Sequence, residues 1–237
     1  MSGSESALWV VVVADGDGVP AGLSVALADA RAAGVTPVVI AADGGARRAL
    51  ELDVRPDLVV GDLDSIRPET LERLAALGIA VEQAPAAKDE SDTELCLRAA
   101  LARGATVIRL VGALGGQRVE HSVANMLLLA HPMLDGCDAA IVAPPSVIRR
   151  VGSAAGGGSV VVRGTPGDHV SLFPADTVVE GVRTEALRYP LHDEVLLPGP
   201  ARGLSNELLT MEARVHVARG RLLVIHTAAN PAPEDLP

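Results

Sequence analysis

Aromatic side chains are almost missing from this sequence: Trp9, Phe173 and Tyr189 are the only three in 237 residues. A core made without them must be filled by aliphatic side chains, and the 49% apolar content is mostly Ala, Val and Leu. Cysteine is nearly absent as well. Cys96 and Cys137 form neither a metal-binding spacing nor a disulfide framework, which fits a reducing compartment. Cys96 lies in an apolar helical run and reads as a core residue. Basic residues are outnumbered, 20 against 30, for a formal net charge of −10. That balance excludes a general nucleic-acid or anionic-membrane surface, because both need a basic footprint. It leaves room for a small anion held locally by a few bases or through a cation. No apolar run approaches the length of a membrane span, and "ALWVVVVA" has no basic flank of the kind a signal peptide carries. The expected location is the cytoplasm.

What is present falls into two patterns. Over residues 1–145, buried-strand runs alternate with helical ones. "LWVVVVA", "TPVVIAAD", "PDLVVGD", "GIAVEQA", "ATVIRLVGA" and "CDAAIVA" read as six strands. "LSVALADARAAG", "GARRALEL", "RPETLERLAALG", "SDTELCLRAALARG" and "EHSVANMLLLAH" read as the helices between them. Gly34 and Gly78 close two of these helices, and Pro68 opens one. Such alternation predicts an α/β unit with a mostly parallel sheet flanked by helices. Over residues 146–230 the pattern becomes valine-rich with period 2, broken by Gly and Pro. It predicts an all-β domain, a small sandwich or barrel, with a final hairpin turning at Arg219 and Gly220. Residues 231–237 read as a disordered tail.

In a parallel sheet, ligands bind outside the carboxyl ends of the strands. Here the strand ends carry "ADGDG" with Asp15 and Asp17, "DGGA" with Asp43, and "GDLDS" with Asp62 and Asp64. The fourth and fifth carry "KDESD" with Lys88, Asp89 and Asp92, and "GALGGQRVEH" with Arg118, Glu120 and His121. These ends share one sheet edge, so carboxylates distant in sequence should converge. Convergent carboxylates repel unless a cation or a proton intervenes. Oxygen ligands of this kind suit Mg²⁺ or Mn²⁺, and Mg²⁺ in turn suits phosphate oxygens.

Each feature also has a plainer reading. Asp64 or Ser65 can cap the next helix. "SDTE" fits a capping box with Ser91 as N-cap, Asp92 in the first turn and Glu94 reaching back. The glycines of "DGGA" can simply turn the chain, and "GALGGQR" lacks the Lys-Ser/Thr of a P-loop. His121, taken alone, is a helix-start hydrogen bonder.

Seven segments in order resemble signatures of the thiamine pyrophosphokinase family: "DGGA" (43–46), "PDLVVGDLDSI" (56–66), "KDESDTE" (88–94), "GALGGQRVEHSVAN" (112–125), "VSLFP" (170–174), "LRYPL" (187–191) and "GLSNE" (203–207). The resemblance implies an α/β catalytic domain followed by a thiamine-binding β-sandwich. It also implies a homodimer with shared active sites, and transfer of the terminal diphosphate of ATP to the hydroxyl of thiamine. Asp62, Asp64 and Asp92 are then expected to hold Mg²⁺, with Asp43 as a further ligand through water or as a substrate anchor. Arg118 and Lys88 would meet phosphate, Glu120 and His121 would line the substrate site, and Ser205 and Asn206 would contact substrate from the second domain. Tyr189 is the stacking candidate for a flat cationic ring. Phe173 reads as β-domain core and Trp9 as part of the sheet. Two departures stand out: Glu120-His121 where the family usually has Asp-His, and Ser91 where it commonly has Thr. Other readings of the residues remain: a diphosphokinase for another heterocyclic alcohol such as a pterin, a Mg²⁺-dependent phosphohydrolase, and a non-catalytic nucleotide or thiamine sensor.

Overall fold

The run "LWVVVV" forms β1 (Leu8–Val13), in which Val10, Val11, Val12 and Val13 are all buried. A strand apolar on both faces belongs in the middle of a covered parallel sheet, and β1 sits there. The computed structural model of the chain describes residues 7–64, 66–85 and 87–231, which divide into two units. The first runs to Asn125 and includes Gly136–Asp138; the second comprises Met126–Asp135 and the chain from Ala139.

In the first unit the other strands are β2 (Val38–Ala42), β3 (Leu58–Gly61), β4 (Ala80–Gln83) and β5 (Ala105–Val111). They lie in the order β5-β1-β2-β3-β4, every pair parallel. The helices are α1 (Val19–Ala32), α2 (Gly45–Glu51), α3 (Pro68–Ala76), α4 (Asp92–Ala102) and α5 (Val119–Leu129), whose last turn belongs to the second unit. Their ends follow the sequence signals. Pro68 starts α3, and Gly34 and Gly78 follow the last turns of α1 and α3 with positive φ. Ser91 Oγ accepts the Glu94 N–H at 3.2 Å and caps α4. The return arm of the expected box differs: the Glu94 carboxylate pairs with Arg98 at 2.7 Å, one turn further along the helix. Cys96 is buried, and burial pushes its thiol pKa up. Trp9 is in β1, with the Arg109 guanidinium 5.2 Å from its ring centre.

The chain leaves the parallel pattern after the sixth strand. β6 (Asp138–Ala143) runs antiparallel to β7 (Ser146–Val151), with Ala143 opposite Ser146. Two intervening residues permit a hairpin but no βα crossover. The second unit then continues with β8 (Gly158–Arg163), β9 (His169–Pro174), β10 (Val179–Glu185), β11 (His192–Leu196), β12 (Asn206–Glu207), β13 (Glu212–Val217) and β14 (Leu222–Thr227). One sheet has the order β12-β9-β14-β7-β6 and the other β11-β10-β13-β8. Inward residues from both sheets, among them Leu172, Val182, Leu196, Val215 and Leu222, form one aliphatic core, as expected of a sandwich.

Two expectations are corrected in this unit. β13 and β14 do not form a hairpin: β13 pairs with β10 and β8, whereas β14 pairs with β7 and β9. Arg219 and Gly220 instead carry the chain from one sheet to the other. The corner needs glycine, because a Cβ on Gly220 (φ 92°) would lie 2.7 Å from the Val178 carbonyl oxygen. Phe173 is 43% exposed rather than in the core. Along β9 Val170 and Leu172 take the inner face, so the period-2 alternation turns Phe173 outward. Of the tail expected over 231–237, residues 232–237 lie outside the described residues. No helix among the described residues is long and apolar enough to cross a membrane.

Candidate active site

The strand order of the first unit reverses between β1 and β5, which creates a crevice at their carboxyl ends. A cavity of about 440 Å³ opens there. Its walls come from the residues after β1 (Ala14–Gly16), the end of β2 (Ala42–Gly44), the start of α4 with Lys88 before it, and the segment from Gly112 to Asn125. Every expected strand-end segment contributes except that of β3, whose Asp62 reaches the same place through its carboxylate.

Asp43, Asp62 and Asp92 each bring a carboxylate oxygen within 4.8 Å of the others. Asp43 is buried, with φ of 32°, at the turn from β2 into α2. Asp92 opens α4, and Asp62 follows β3. Gly61 makes the approach possible: a Cβ there would stand 3.0 Å from Asp43 Cβ and 3.3 Å from the Asp92 carboxylate. Asp64 does not join the group. Leu63 takes φ of 68°, a left-handed conformation costly for leucine, and reverses the chain between the two aspartates. Asp64 is exposed, and its N–H donates to Asp62 Oδ1 at 3.3 Å. Asp43 is the third member of this group, and the Asp64 N–H reaches Asp62 beside it. Ser65 lies outside the described residues.

Lys88 offsets part of the group's charge by pairing with two of its members. Its Nζ lies 2.5 Å from Asp92 Oδ1 and 3.4 Å from Asp62 Oδ2, and the lysine side chain is only 11% exposed. The Asp62 carboxyl is held below its usual range, first by the Asp64 N–H and then by the Lys88 charge, against the opposing effect of burial. Burial pulls the Lys88 ammonium pKa down, but Asp92 and Asp62 together raise it above its ordinary value. The donor set is all hard oxygen with three formal negative charges, which fits a divalent cation such as Mg²⁺.

The wall after β5 carries Gln117, Arg118 and His121 into the cavity. Arg118 Nε donates to Glu120 Oε1 at 2.7 Å, and both side chains are more than half exposed. That hydrogen bond is the main reason the Glu120 pKa is lowered. Asn125 was not singled out from the sequence, although it closes the "HSVAN" segment. It is buried, lines the cavity and donates from Nδ2 to the Ala113 carbonyl at 2.8 Å. Asp15 also lines the cavity and binds Arg48 at 3.0 Å and Arg47 at 3.3 Å.

The remaining predicted residues are in the second unit. Asn206 is buried, and its amide brackets Tyr189: Oδ1 accepts the Tyr189 N–H at 2.9 Å and Nδ2 donates to the Tyr189 carbonyl at 2.7 Å. Tyr189 itself is 58% exposed. Ser205 takes φ of 55°, and its N–H donates to Ser171 Oγ at 3.0 Å. Asn206 therefore fixes the "LRYPL" segment, while Tyr189 presents its ring to solvent in this unit.

Residues 32–141 match the model of the thiamin pyrophosphokinase catalytic domain, and residues 160–222 that of the thiamin pyrophosphokinase vitamin B1 binding domain. The thiamine pyrophosphokinase of Bacillus subtilis strain 168 is 24% identical over 188 residues, which is 79% of this chain and 86% of that protein. A crystal structure of the B. subtilis enzyme matches the fold with a TM-score of 0.79 at 23% identity, over 94% of this chain and all of that one. The thiamin pyrophosphokinase from Geobacillus thermodenitrificans gives 0.75 at 26% identity, over 97% of this chain and all of that one. The yeast thiamin pyrophosphokinase retains the fold at 12% identity, with a TM-score of 0.70 over 94% of this chain and 87% of that one.

Proposed function

The chain belongs to the thiamin pyrophosphokinase family, and from that premise we propose that it transfers the diphosphate of ATP to the hydroxyl of thiamine, giving thiamine diphosphate and AMP. The observation that carries this reading is the convergence of Asp43, Asp62 and Asp92 beside Lys88, at the edge of a cavity bordered by Arg118.

The reaction forms a bond from the thiamine hydroxyl oxygen to the β-phosphorus of ATP. It breaks the bond from that phosphorus to the α–β bridging oxygen, which leaves on AMP, and the alcohol releases its proton. No covalent enzyme intermediate is required. Such a transfer rests on positioning and charge stabilisation. Asp43, Asp62 and Asp92 would hold Mg²⁺, which neutralises phosphate charge when bound. Lys88 and Arg118 meet phosphate oxygens, the former by leaving the carboxylates it now bridges. Glu120 and His121 line the acceptor site. Ser205, Asn206 and Tyr189 serve thiamine from the β-sandwich, Asn206 by fixing Tyr189, whose exposed ring offers a face for a thiazolium or pyrimidine.

We also propose a homodimer whose active sites draw on both copies. Val119, Val123 and Leu127, spaced by four along α5, are 74%, 46% and 64% exposed, an apolar stripe suited to a protein surface. Two cysteines in 237 residues and a net charge of −10 fit a cytoplasmic enzyme.

The test is product identification by mass after incubation with ATP, Mg²⁺ and, in separate reactions, thiamine, a hydroxymethylpterin or no acceptor. AMP and thiamine diphosphate only with thiamine supports the reading. Diphosphate on the pterin alone, or inorganic phosphate without an acceptor, overturns it. For assembly, mixing the impaired Asp62→Asn and Asn206→Ala proteins should give more activity than the two give separately; no gain after demonstrated subunit exchange contradicts shared sites.

A further inference from the structure

The loop after β1 and the loop after β5 are laced together. Gly16 N–H donates to the Gly112 carbonyl and Asp17 N–H to the Leu114 carbonyl, both at 2.8 Å. The Asp17 carboxylate then crosses to the second loop, where Oδ2 accepts the Gly116 N–H at 2.8 Å from 99 residues away in sequence. The fit is tight. Gly115 has φ of 76°, and a Cβ on it would sit 2.2 Å from Asp17 Oδ2. From the other side, Ser122 Oγ accepts the Gly115 N–H at 3.0 Å. Immediately beyond this strap the chain delivers Gln117 and Arg118 to the cavity.

Arg118 is long and exposed, and its ion pair is to Glu120, two residues further along the same loop. The pair cannot aim the loop itself. Asp17 supplies an anchor from a different strand, through a charge-assisted bond stronger than a neutral one. Asp17 is exposed and does not line the cavity, so its loss empties no core and removes no substrate contact.

We infer that Asp17 is a positioning residue for the nucleotide: by holding Gly116 it sets the backbone from which Arg118 reaches the phosphates. This rests on the reading of the site given above. The acceptor oxygen matters most, so Asp17→Asn, whose neutral amide carbonyl can still take the Gly116 N–H, should be impaired much less than Asp17→Ala.

The experiment compares the parent, Asp17→Ala, Asp17→Asn and Arg118→Ala by steady-state kinetics, by melting temperature and by amide hydrogen exchange at Gly116 in the ligand-free protein. Asp17→Ala should raise the KM for ATP about tenfold, the size of effect expected for losing one charge-assisted bond, with the KM for thiamine unchanged. Gly116 exchange should quicken by about the same factor, and Asp17→Asn should restore most of both. Parent-like ATP kinetics and Gly116 exchange in Asp17→Ala would overturn the inference, as would equal impairment of Asp17→Asn and Asp17→Ala. If the parent makes no thiamine diphosphate, the functional reading has failed, and Gly116 exchange still decides whether Asp17 holds the loop.

Discussion

Lys88 Nζ lies 2.5 Å from Asp92 Oδ1, four residues further on, where the segment after β4 enters α4. The same ammonium reaches Asp62 at 3.4 Å. A lysine so placed acts as a divalent cation among these carboxylates would: it offsets their mutual repulsion.

Replacing Lys88 by Met should therefore lower the melting temperature in EDTA, by about 2–4 °C for roughly 1 kcal/mol in a chain of this size. Adding Mg²⁺ should raise the melting temperature of Lys88→Met more than that of the parent, because the cation then has no competitor. Equal Mg²⁺ shifts in the two proteins would show that lysine and metal do not share the carboxylates.

The two aspartates of "GDLDS" should part company on mutation. Asp62→Asn and Asp43→Asn are expected to lower turnover at least about a hundredfold, as loss of a metal ligand or its support does. Asp64→Asn should stay within about tenfold, because Asp64 is outside the group of three converging carboxylates and the variant keeps the backbone N–H bond to Asp62. Steady-state kinetics at saturating Mg²⁺ decide; a loss in Asp64→Asn as deep as in Asp62→Asn would put Asp64 among the ligands.

Glu120 should matter to kinetics and not to folding. Its ion pair with Arg118 is solvent-exposed, and such pairs contribute little to stability. Glu120→Gln should leave the melting temperature unchanged while altering the KM for thiamine or ATP, since it weakens the hold on Arg118 and removes a charge beside it. A change in melting temperature with unaltered kinetics would assign Glu120 a helix-start role.

Asp135 predicts the acid limit of the β-sandwich. It ion-pairs with Arg221 at 2.8 Å and with Arg150, both nearly buried. The Arg221 hydrogen bond is the main cause of its lowered pKa, reinforced by Arg150 against the effect of burial. A carboxylate with a depressed native pKa contributes stability that is present above its unfolded value of 3.8 and is lost as pH falls through the native value. Asp135→Asn should cost about 2–3 kcal/mol at pH 7, less than for a fully buried pair. The gap to the parent should narrow below pH 3.8. Denaturant titrations across pH measure this, and a gap that stays constant as pH falls would contradict it.

Asn206→Ala should weaken thiamine use indirectly. It strips two hydrogen bonds from the Tyr189 backbone in a buried setting, a loss of about 1–3 kcal/mol in stability. The KM for thiamine should rise, and Tyr189→Ala should reproduce the kinetic effect with a smaller loss of stability. An unaffected thiamine KM in both variants would remove this segment from the substrate site.

The parts legible in the sequence were those fixed by periodicity and by parallel topology. Once "LWVVVV" and its successors read as parallel strands, their polar ends had to share an edge, and Asp43, Asp62, Lys88, Asp92 and Arg118 were found there. What the sequence could not carry was local chain direction. Nothing in "GDLDS" reveals that Leu63 adopts a positive φ. "ARG" between two apolar runs signals a turn, but a hairpin and a crossing between sandwich sheets use the same residues. Phe173 looked like core because it is large and apolar; strand alternation placed it outside. Asn125 and Asn206 escaped a direct structural assignment because their partners are backbone groups distant in sequence.

The central claim, transfer of diphosphate in one step at the β-phosphorus, is tested most directly with ATP carrying ¹⁸O in the α–β bridging position. Incubated with thiamine and Mg²⁺, the protein should yield AMP that retains the label and thiamine diphosphate that carries none. Thiamine monophosphate with ADP as the first products, or label recovered on the thiamine product, would contradict the account.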